Sequence, residues 1–129
     1  MRLIRGLSNL KAMAETRNSL LSGGCVATIG NFDGVHRGHQ VIIDQVRDKA
    51  LALGVPSVVM VFEPQPREFF QGEDAPPRLM AFRQKFEALL ANGIDCVLCL
   101  RFDDQFRQYS GMGFIEDVLI DGLAVRHLV

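Results

Sequence analysis

An unbroken apolar run, VVMVF at residues 58–62, restricts the possible folds more than any other feature of the sequence. A strand that is apolar at every position is typical of a parallel sheet covered on both faces, because neither side of the strand meets water. The run predicts a strand at Ser57–Phe62. The short apolar segments CVATI, at residues 25–29, and CVLCL, at residues 96–100, predict two further strands of this kind.

Segments with helical spacing separate these strands. Apolar residues recur every three or four positions within residues 36–53, 80–91 and 112–121, which predicts three helices. Residues 124–129 are predicted to form a fourth strand. The alternation of strands and helices predicts an α/β fold, with a Rossmann-like parallel sheet and flanking helices.

Three loops are predicted at the carboxyl ends of the strands, where parallel sheets bind ligands. They are Gly30–Gly38, Glu63–Pro77 and Arg101–Tyr109, the last of which could include a short helix. The whole segment 62–80 is predicted to be a loop because it contains four prolines and one glycine. A ligand-binding site is therefore expected at this edge of the sheet.

The size and charge of the chain limit its class. Its 129 residues are enough for one domain, which we predict at residues 24–129 after an N-terminal extension, residues 1–23, with a helical patch at Leu10–Leu21 capped by Ser8. The net charge of −1 argues against a nucleic-acid partner, since such proteins carry a basic face. There is no apolar run long enough to span a membrane and no secretory signal, so the predicted location is cytoplasmic.

The cysteines favour buried, reduced thiols over a metal site. Cys96 and Cys99 form a C-x-x-C pattern, which together with His36 and His39 resembles the spacing of zinc ligands. Residues three apart on a strand point to opposite faces of the sheet, however, so the two thiols are not expected to share one metal. We predict no metal-ligating residues in the chain.

The segment Gly24–His39, GCVATIGNFDGVHRGH, leads from the first predicted strand through a glycine-rich loop into a helix. Gly30, Gly34 and Gly38 are four residues apart, which matches neither the P-loop nor the dinucleotide-binding pattern. His36 and His39 are three apart, so on a helix both imidazoles lie on one face. Because a helix N-terminus attracts anions, the segment indicates a phosphate cradle. The alternative is a tight turn whose glycines serve packing and whose histidines cap the helix.

The run TIGNFDGVHRGHQ strongly resembles the signature of bacterial FAD synthetases, the adenylyltransferase module of bifunctional riboflavin kinase/FMN adenylyltransferases in the HxGH nucleotidyltransferase superfamily. FEPQPREFF is similar to the family's F-x-P-x-P loop, and PPRLM and FDDQFRQYSGMGFIEDVL resemble later family segments in the same order. The resemblance implies transfer of AMP from ATP to FMN with release of pyrophosphate, with Mg²⁺ assisting. The expected partners are thus small molecules, with neither nucleic acid nor membrane involved.

The resemblance also implies site residues. It makes His36 and His39 the catalytic contacts to the ATP phosphates. The residues implied in ATP binding are Gly30, Asn31, Phe32, Asp33, Gly34, His36, Gly38 and His39. Those implied in flavin binding are Phe62, Pro64 and Pro66, for which the alternative is a rigid connection with its aromatic residues in the core.

Several other side chains are expected to be structural. Asp33 could form the turn or cap the helix, and Phe69 and Phe70 are expected in the core. His127 is expected to be packed within its strand. Asp103 and Asp104 could hold Mg²⁺ through water, although solvated acids at a helix start are more common.

The family pattern continues beyond Val129, with segments that help to hold the nucleotide and then a riboflavin kinase domain. The sequence therefore predicts a C-terminally incomplete, partial nucleotidyltransferase domain that lacks the kinase and the rest of the adenylyltransferase domain. Two alternatives stay open: an inactive nucleotide-binding fragment, and another HxGH nucleotidyltransferase with a different acceptor.

Overall fold

A computed structural model describes residues 3–15, 21–33, 37–74 and 81–129. It contains one sheet of five parallel strands in the order β1-β4-β3-β2-β5. The strands are β1 Leu3–Arg5, β2 Cys25–Ile29, β3 Ser57–Phe62, β4 Cys96–Leu100 and β5 Val125–Leu128. The helices are α1 Gly6–Ala14, α2 Arg37–Leu53, α3 Pro66–Gln71, α4 Phe82–Ala91 and α5 Gly111–Phe114, which continues as a π-helical segment, Ile115–Ile120.

Both faces of the sheet are covered, and each has its own apolar core. On the α2 face, Val26, Val59 and Val97 pack with residues of α2 and α4. On the α1 face, Ala27, Val58 and Leu98 pack with residues of α1 and the π-helical segment. Adjacent residues of a strand alternate between these two cores, which explains why β3 and β4 are apolar at almost every position.

The predicted parallel α/β fold is confirmed. The predicted strands at 25–29, 57–62 and 96–100 have the observed bounds, and β5 lies within the predicted segment 124–129. The helix predicted to end at Leu53 does so. These elements were predictable because each is an apolar run or a clear helical repeat bounded by glycine or a loop.

The N-terminal helix begins earlier than predicted. It spans Gly6–Ala14 with Arg5 at the N-cap position, so Ser8 lies inside the helix and does not cap it. Residues 16–20 of the predicted patch lie outside the described part of the chain. Strand β1 was not predicted; it pairs with β4, with Leu3 opposite Val97. Part of the predicted N-terminal extension therefore belongs to the sheet, although the domain division itself stays a prediction.

The segment 62–80 was predicted to be a loop throughout and instead contains α3. Pro66 stands at the start of this helix, where its missing N–H costs nothing. The backbone N–H of Gln65, the N-cap residue, donates to Glu68 Oε1 at 2.9 Å. This contact caps the start of a helix in a proline-rich sequence. Residues 75–80 lie outside the described part of the chain.

Within the described ranges, no helix is long and apolar enough to cross a membrane.

Candidate active site

The strand order places the end of β2 at the point where the chain reverses direction across the sheet. From β2 the chain moves to β3 and then to β4 on one side, and β5 returns to the other side of β2. Ligands of parallel α/β sheets bind at such a switch point, beyond the carboxyl ends of the strands. Gly30 follows β2 there, and its N–H donates to the Met60 carbonyl at 3.1 Å. The predicted glycine loop therefore begins at the position that favours ligand binding.

Phe32 shapes this loop through its backbone and its ring. It adopts a left-handed backbone conformation, with φ of 51°, which is uncommon for a residue other than glycine. Its buried ring lies over Gly30, where an added Cβ would be 2.6 Å from Phe32 Cε2. Gly30 is thus needed because the ring leaves no room for a side chain. The sequence pattern contained no signal for this contact.

The Phe32 ring also reaches the first turn of α2. Its centroid is 5.0 Å from that of the His39 imidazole, and the two rings are tilted by 52°. His39 is half-buried, Gly38 beside it is exposed, and the first turn of α2 has no acidic side chain to offset the positive end of the helix. This arrangement suits an anion at the helix start.

The structure describes only some of the other predicted ATP-binding residues. Asn31 is exposed and Asp33 is half-buried, whereas the Phe32 side chain points into the core of the α2 face. Gly34 and His36 lie outside the described residues, so the pairing of two imidazoles stays a prediction.

The end of β3 and the loops after β3 and β4 bring together five phenylalanines from two segments that are distant in sequence. We call this group the aromatic cluster, and its members are Phe62, Phe69, Phe70, Phe102 and Phe106. Phe102 lies at its centre, with ring centroids 5.6 Å from Phe62, 5.4 Å from Phe69 and 5.7 Å from Phe70. The prediction that Phe70 is in the core was wrong, since 63% of it is exposed. The phenylalanines of the third loop were missed because only the pairing of β3 with β4 brings them beside α3.

Two cavities border these loops. One, of about 540 Å³, lies between α1 and the third loop and is lined by Lys11, Arg101, Phe106 and Tyr109 among others. A second, of about 500 Å³, is lined in part by Pro64 and Glu63. The predicted flavin-binding residues thus lie in different surroundings. Phe62 belongs to the aromatic cluster, and Pro64 is exposed beside the second cavity. The side chain of Pro66 is not described.

The acidic residues of the third loop stabilise that loop. Asp103 Oδ1 accepts from the Phe106 N–H at 2.8 Å, and Asp104 forms an ion pair with Arg107 at 3.2 Å. Among the described residues, no group of three or more histidine, cysteine or acidic side chains is arranged to hold a metal ion. His127, predicted to be packed, is instead exposed on β5.

The three cysteines are reduced and buried. Cys96 lies on the α1 face and Cys99 on the α2 face, which confirms that these two thiols cannot share one metal. Burial raises the pKa of Cys25 from 9.0 to about 12, with a further contribution from Cys96. Burial likewise raises the pKa of Cys96 to about 11. Neither thiol is a thiolate near neutral pH, so neither can act as a nucleophile.

Solved structures with this architecture support the fold. A structure from Streptococcus pneumoniae, described as a macrolide-efflux protein, superposes on the whole chain with a TM-score of 0.79, 21% identity and 40% of its own length covered. A pantoate-β-alanine ligase from Francisella tularensis, complexed with an ATP analogue and β-alanine, covers 84% of this chain and 38% of its own, with a TM-score of 0.52 and 18% identity. At these identities the likeness extends to the fold alone.

The sequence comparisons are more specific. The chain is 54% identical over 128 residues to a bifunctional riboflavin kinase/FMN adenylyltransferase from Pseudomonas fluorescens, and 43% identical to one from Escherichia coli K12. In each case 99% of this chain aligns, with 38% and 39% of the relative's length respectively. The sequence model of FAD synthetases matches residues 19–129. The chain therefore belongs to the FAD synthetase family.

Proposed function

We propose that this chain forms the ATP- and FMN-binding part of an FMN adenylyltransferase. One observation supports this most directly: two loops at the same edge of the sheet offer two different chemistries. The glycine loop offers a helix N-terminus and the imidazole of His39 for phosphates. The aromatic cluster offers exposed ring surface, with Phe70 outermost, for a flat heteroaromatic ring.

In the proposed reaction, an oxygen of the FMN phosphate attacks the α-phosphorus of ATP. The bond from the α-phosphorus to the oxygen that bridges it to the β-phosphorus breaks, and pyrophosphate leaves with that oxygen. The attacking phosphate is already an anion at neutral pH, because its second pKa is about 6, so no general base is required. The protein therefore has to align two polyanions and offset their charge.

The residues of the glycine loop suit this task. His39 and the helix N-terminus contact the ATP phosphates, and we assign His36 to the same role from the family pattern. Gly38 leaves backbone N–H groups accessible, since no Cβ covers them. Phe32 supports the loop from beneath, so we assign it a role through its backbone and through its ring contact with His39. We also assign Asn31 and Asp33 to the edge of this ATP site.

The described residues do not fit a resident Mg²⁺ site, because the acidic pair Asp103 and Asp104 is engaged in a turn cap and an ion pair. We therefore assign Mg²⁺ to the substrate, as the MgATP complex, in which the phosphate oxygens of ATP coordinate the ion.

The remaining parts of the proposal concern the longer relatives and the cell. We assign riboflavin kinase activity, and the rest of the adenylyltransferase domain, to the parts of those relatives outside the matched 38–39%. Reduced, buried cysteines favour a cytoplasmic location, since oxidising compartments favour disulfides.

The test is to incubate the chain with MgATP and FMN, and to follow FAD and pyrophosphate by chromatography. Binding of FMN and of ATP is measured in parallel by fluorescence quenching and calorimetry. We expect His36→Ala and His39→Ala to weaken ATP binding and to suppress any FAD formation. His127→Ala is the matched control, because this histidine is exposed on β5 and should leave both unchanged.

Each outcome separates the alternatives. FAD formation that depends on the two histidines supports the full proposal. Binding of both ligands without turnover supports the nucleotide-binding alternative, and AMP transfer to a phosphate acceptor other than FMN supports another nucleotidyltransferase. Failure to bind either ligand contradicts the proposal.

A further inference from the structure

Helix α4 carries a lysine at a position that faces the core. Lys85 is 0% exposed, as is Leu89 one turn later on the same side of the helix. Phe82 and Phe86 of this helix pack against the apolar core of the α2 face. A fully buried ammonium group is rare, because it loses its hydration and has to be compensated by a charge or by hydrogen bonds. An apolar residue would be the simpler choice here.

The compensating charge comes from the carboxyl edge of the sheet. Lys85 Nζ lies 3.9 Å from Glu63 Oε1, and the side chain of Glu63 is 23% exposed. Glu63 directly follows the last residue of β3, and its backbone N–H donates to the Leu100 carbonyl at 2.9 Å. The backbone of Glu63 is thus fixed to the end of β4, while its carboxylate points towards α4.

This contact lies just before the helix that carries part of the aromatic cluster. Two residues after Glu63, Gln65 caps α3, and α3 places Phe69 and Phe70 beside Phe102. Since the connection between Glu63 and α3 is so short, a shift of Glu63 is transmitted to both rings. Lys85 is therefore linked to the aromatic cluster through Glu63 and the start of α3.

We propose that Lys85 is a positioning residue for flavin binding. Its buried charge holds Glu63 against α4, and this fixes the place where α3 presents Phe69 and Phe70. Lys85 has no exposed surface, so it acts through Glu63 and does not touch the ligand. The inference rests on the proposed function, in which the aromatic cluster receives the flavin ring.

The experiment compares FMN and ATP affinities in the 129-residue chain. We expect Lys85→Met, which keeps the length and removes the charge, to weaken FMN binding about tenfold, an effect of the size found when residues that orient metal ligands are lost. ATP affinity should stay within about twofold, since Lys85 and Glu63 both lie outside the glycine loop. Lys85→Arg should largely restore FMN affinity. Arg83→Met is the matched control, because this cation of α4 is exposed and pairs with Glu87.

A second variant separates positioning from stability. Glu63→Gln combined with Lys85→Met removes both charges, so no buried charge is left uncompensated, and stability should recover relative to Lys85→Met alone. Under our inference FMN binding stays weak in this double variant. Recovery of FMN affinity together with stability would show that the pair is merely structural, and would overturn the inference.

The remaining outcomes distinguish this inference from the proposed function. If the unmodified chain binds FMN and folded Lys85→Met binds it equally well, the inference is wrong and the proposed function stands. A parallel loss of ATP and FMN affinity also overturns it, since that indicates a general loss of structure. If the unmodified chain does not bind FMN, the proposed function itself is contradicted.

Discussion

At the scale of single residues, the glycine loop depends on a close contact between Gly30 and the ring of Phe32. Phe32 holds an unusual left-handed backbone conformation and is buried at the same time. The same ring packs against the imidazole of His39. A packing change beneath the loop is therefore expected to affect a residue that we assign to the ATP phosphates.

Gly30→Ala tests this contact. The new Cβ would lie 2.6 Å from the Phe32 ring, so we expect a loss of about 1–3 kcal/mol in the free energy of unfolding, together with weaker ATP binding. Urea denaturation and calorimetry measure the two effects. Gly23→Ala is the control, because a Cβ there has no neighbour within 4 Å, and it should change stability by less than about 0.5 kcal/mol. Equal stabilities of the two variants would contradict the close packing.

The buried thiols predict how stability depends on pH. The folded state keeps Cys25 protonated up to a pKa of about 12, while in the unfolded chain the thiol deprotonates near its ordinary value of 9.0. Above that value the unfolded state binds fewer protons, so stability falls as pH rises towards the folded pKa. Each such thiol contributes at most about 1.4 kcal/mol per pH unit.

Urea unfolding at pH 8, 9 and 10 measures this slope. Cys25→Ala should lower stability at pH 8, because it removes buried volume, yet it should flatten the decline between pH 9 and 10. An identical decline in both proteins would rule out the assigned role of this thiol.

At the scale of elements, α3 shows how local chemistry overrides composition. Its segment has the prolines of a loop, but Pro66 stands at the helix start and the Glu68 side chain accepts from the backbone N–H of the N-cap residue, Gln65. The helix then directs Phe69 and Phe70 towards the third loop.

Glu68→Ala should remove the hydrogen bond that caps α3 and lower the free energy of unfolding by about 1 kcal/mol. It should also weaken FMN binding, since α3 carries two rings of the aromatic cluster. Glu87→Ala provides the comparison, because Glu87 is an exposed glutamate of α4 whose surface ion pair contributes little. Unchanged FMN affinity in Glu68→Ala would show that α3 does not contribute to flavin binding.

The predictability of each element follows from the length of its pattern. Strands β2, β3 and β4 were predictable because each is an apolar run covered on both faces. Strand β1 has three residues, too few for a pattern, and its position depends on pairing with β4. The glycine and histidine residues of the candidate site were recognisable as a motif, whereas the aromatic cluster joins segments that only the sheet brings together.

At the scale of the whole molecule, the two edge strands differ in how firmly they are held. Ile4 of β1 is 1% exposed and belongs to the core of the α1 face, whereas Leu128 of β5 is 48% exposed. The segment predicted as an extension thus contributes to the core on one edge of the sheet.

Ile4→Ala should therefore lower the free energy of unfolding by about 2–4 kcal/mol, because it leaves a cavity in that core. Leu128→Ala, the same kind of truncation on the opposite edge, should cost less than about 1 kcal/mol. Chemical denaturation of both variants makes the comparison. Similar losses would mean that β1 is no better anchored than β5.

The position of β2 between β3 and β5 has a consequence for the order in which the protein is made. Residues 25–29 leave the ribosome well before their partners in β5: Thr28 Oγ1 donates to the Val129 carbonyl across 101 residues of sequence. The pairing of β2 with β3 can form once Phe62 has emerged, whereas the β5 side has to wait until residues 125–129 have been synthesised. Until then, the strand that leads into the glycine loop is an unpaired sheet edge, and chaperones are expected to recognise the nascent chain there.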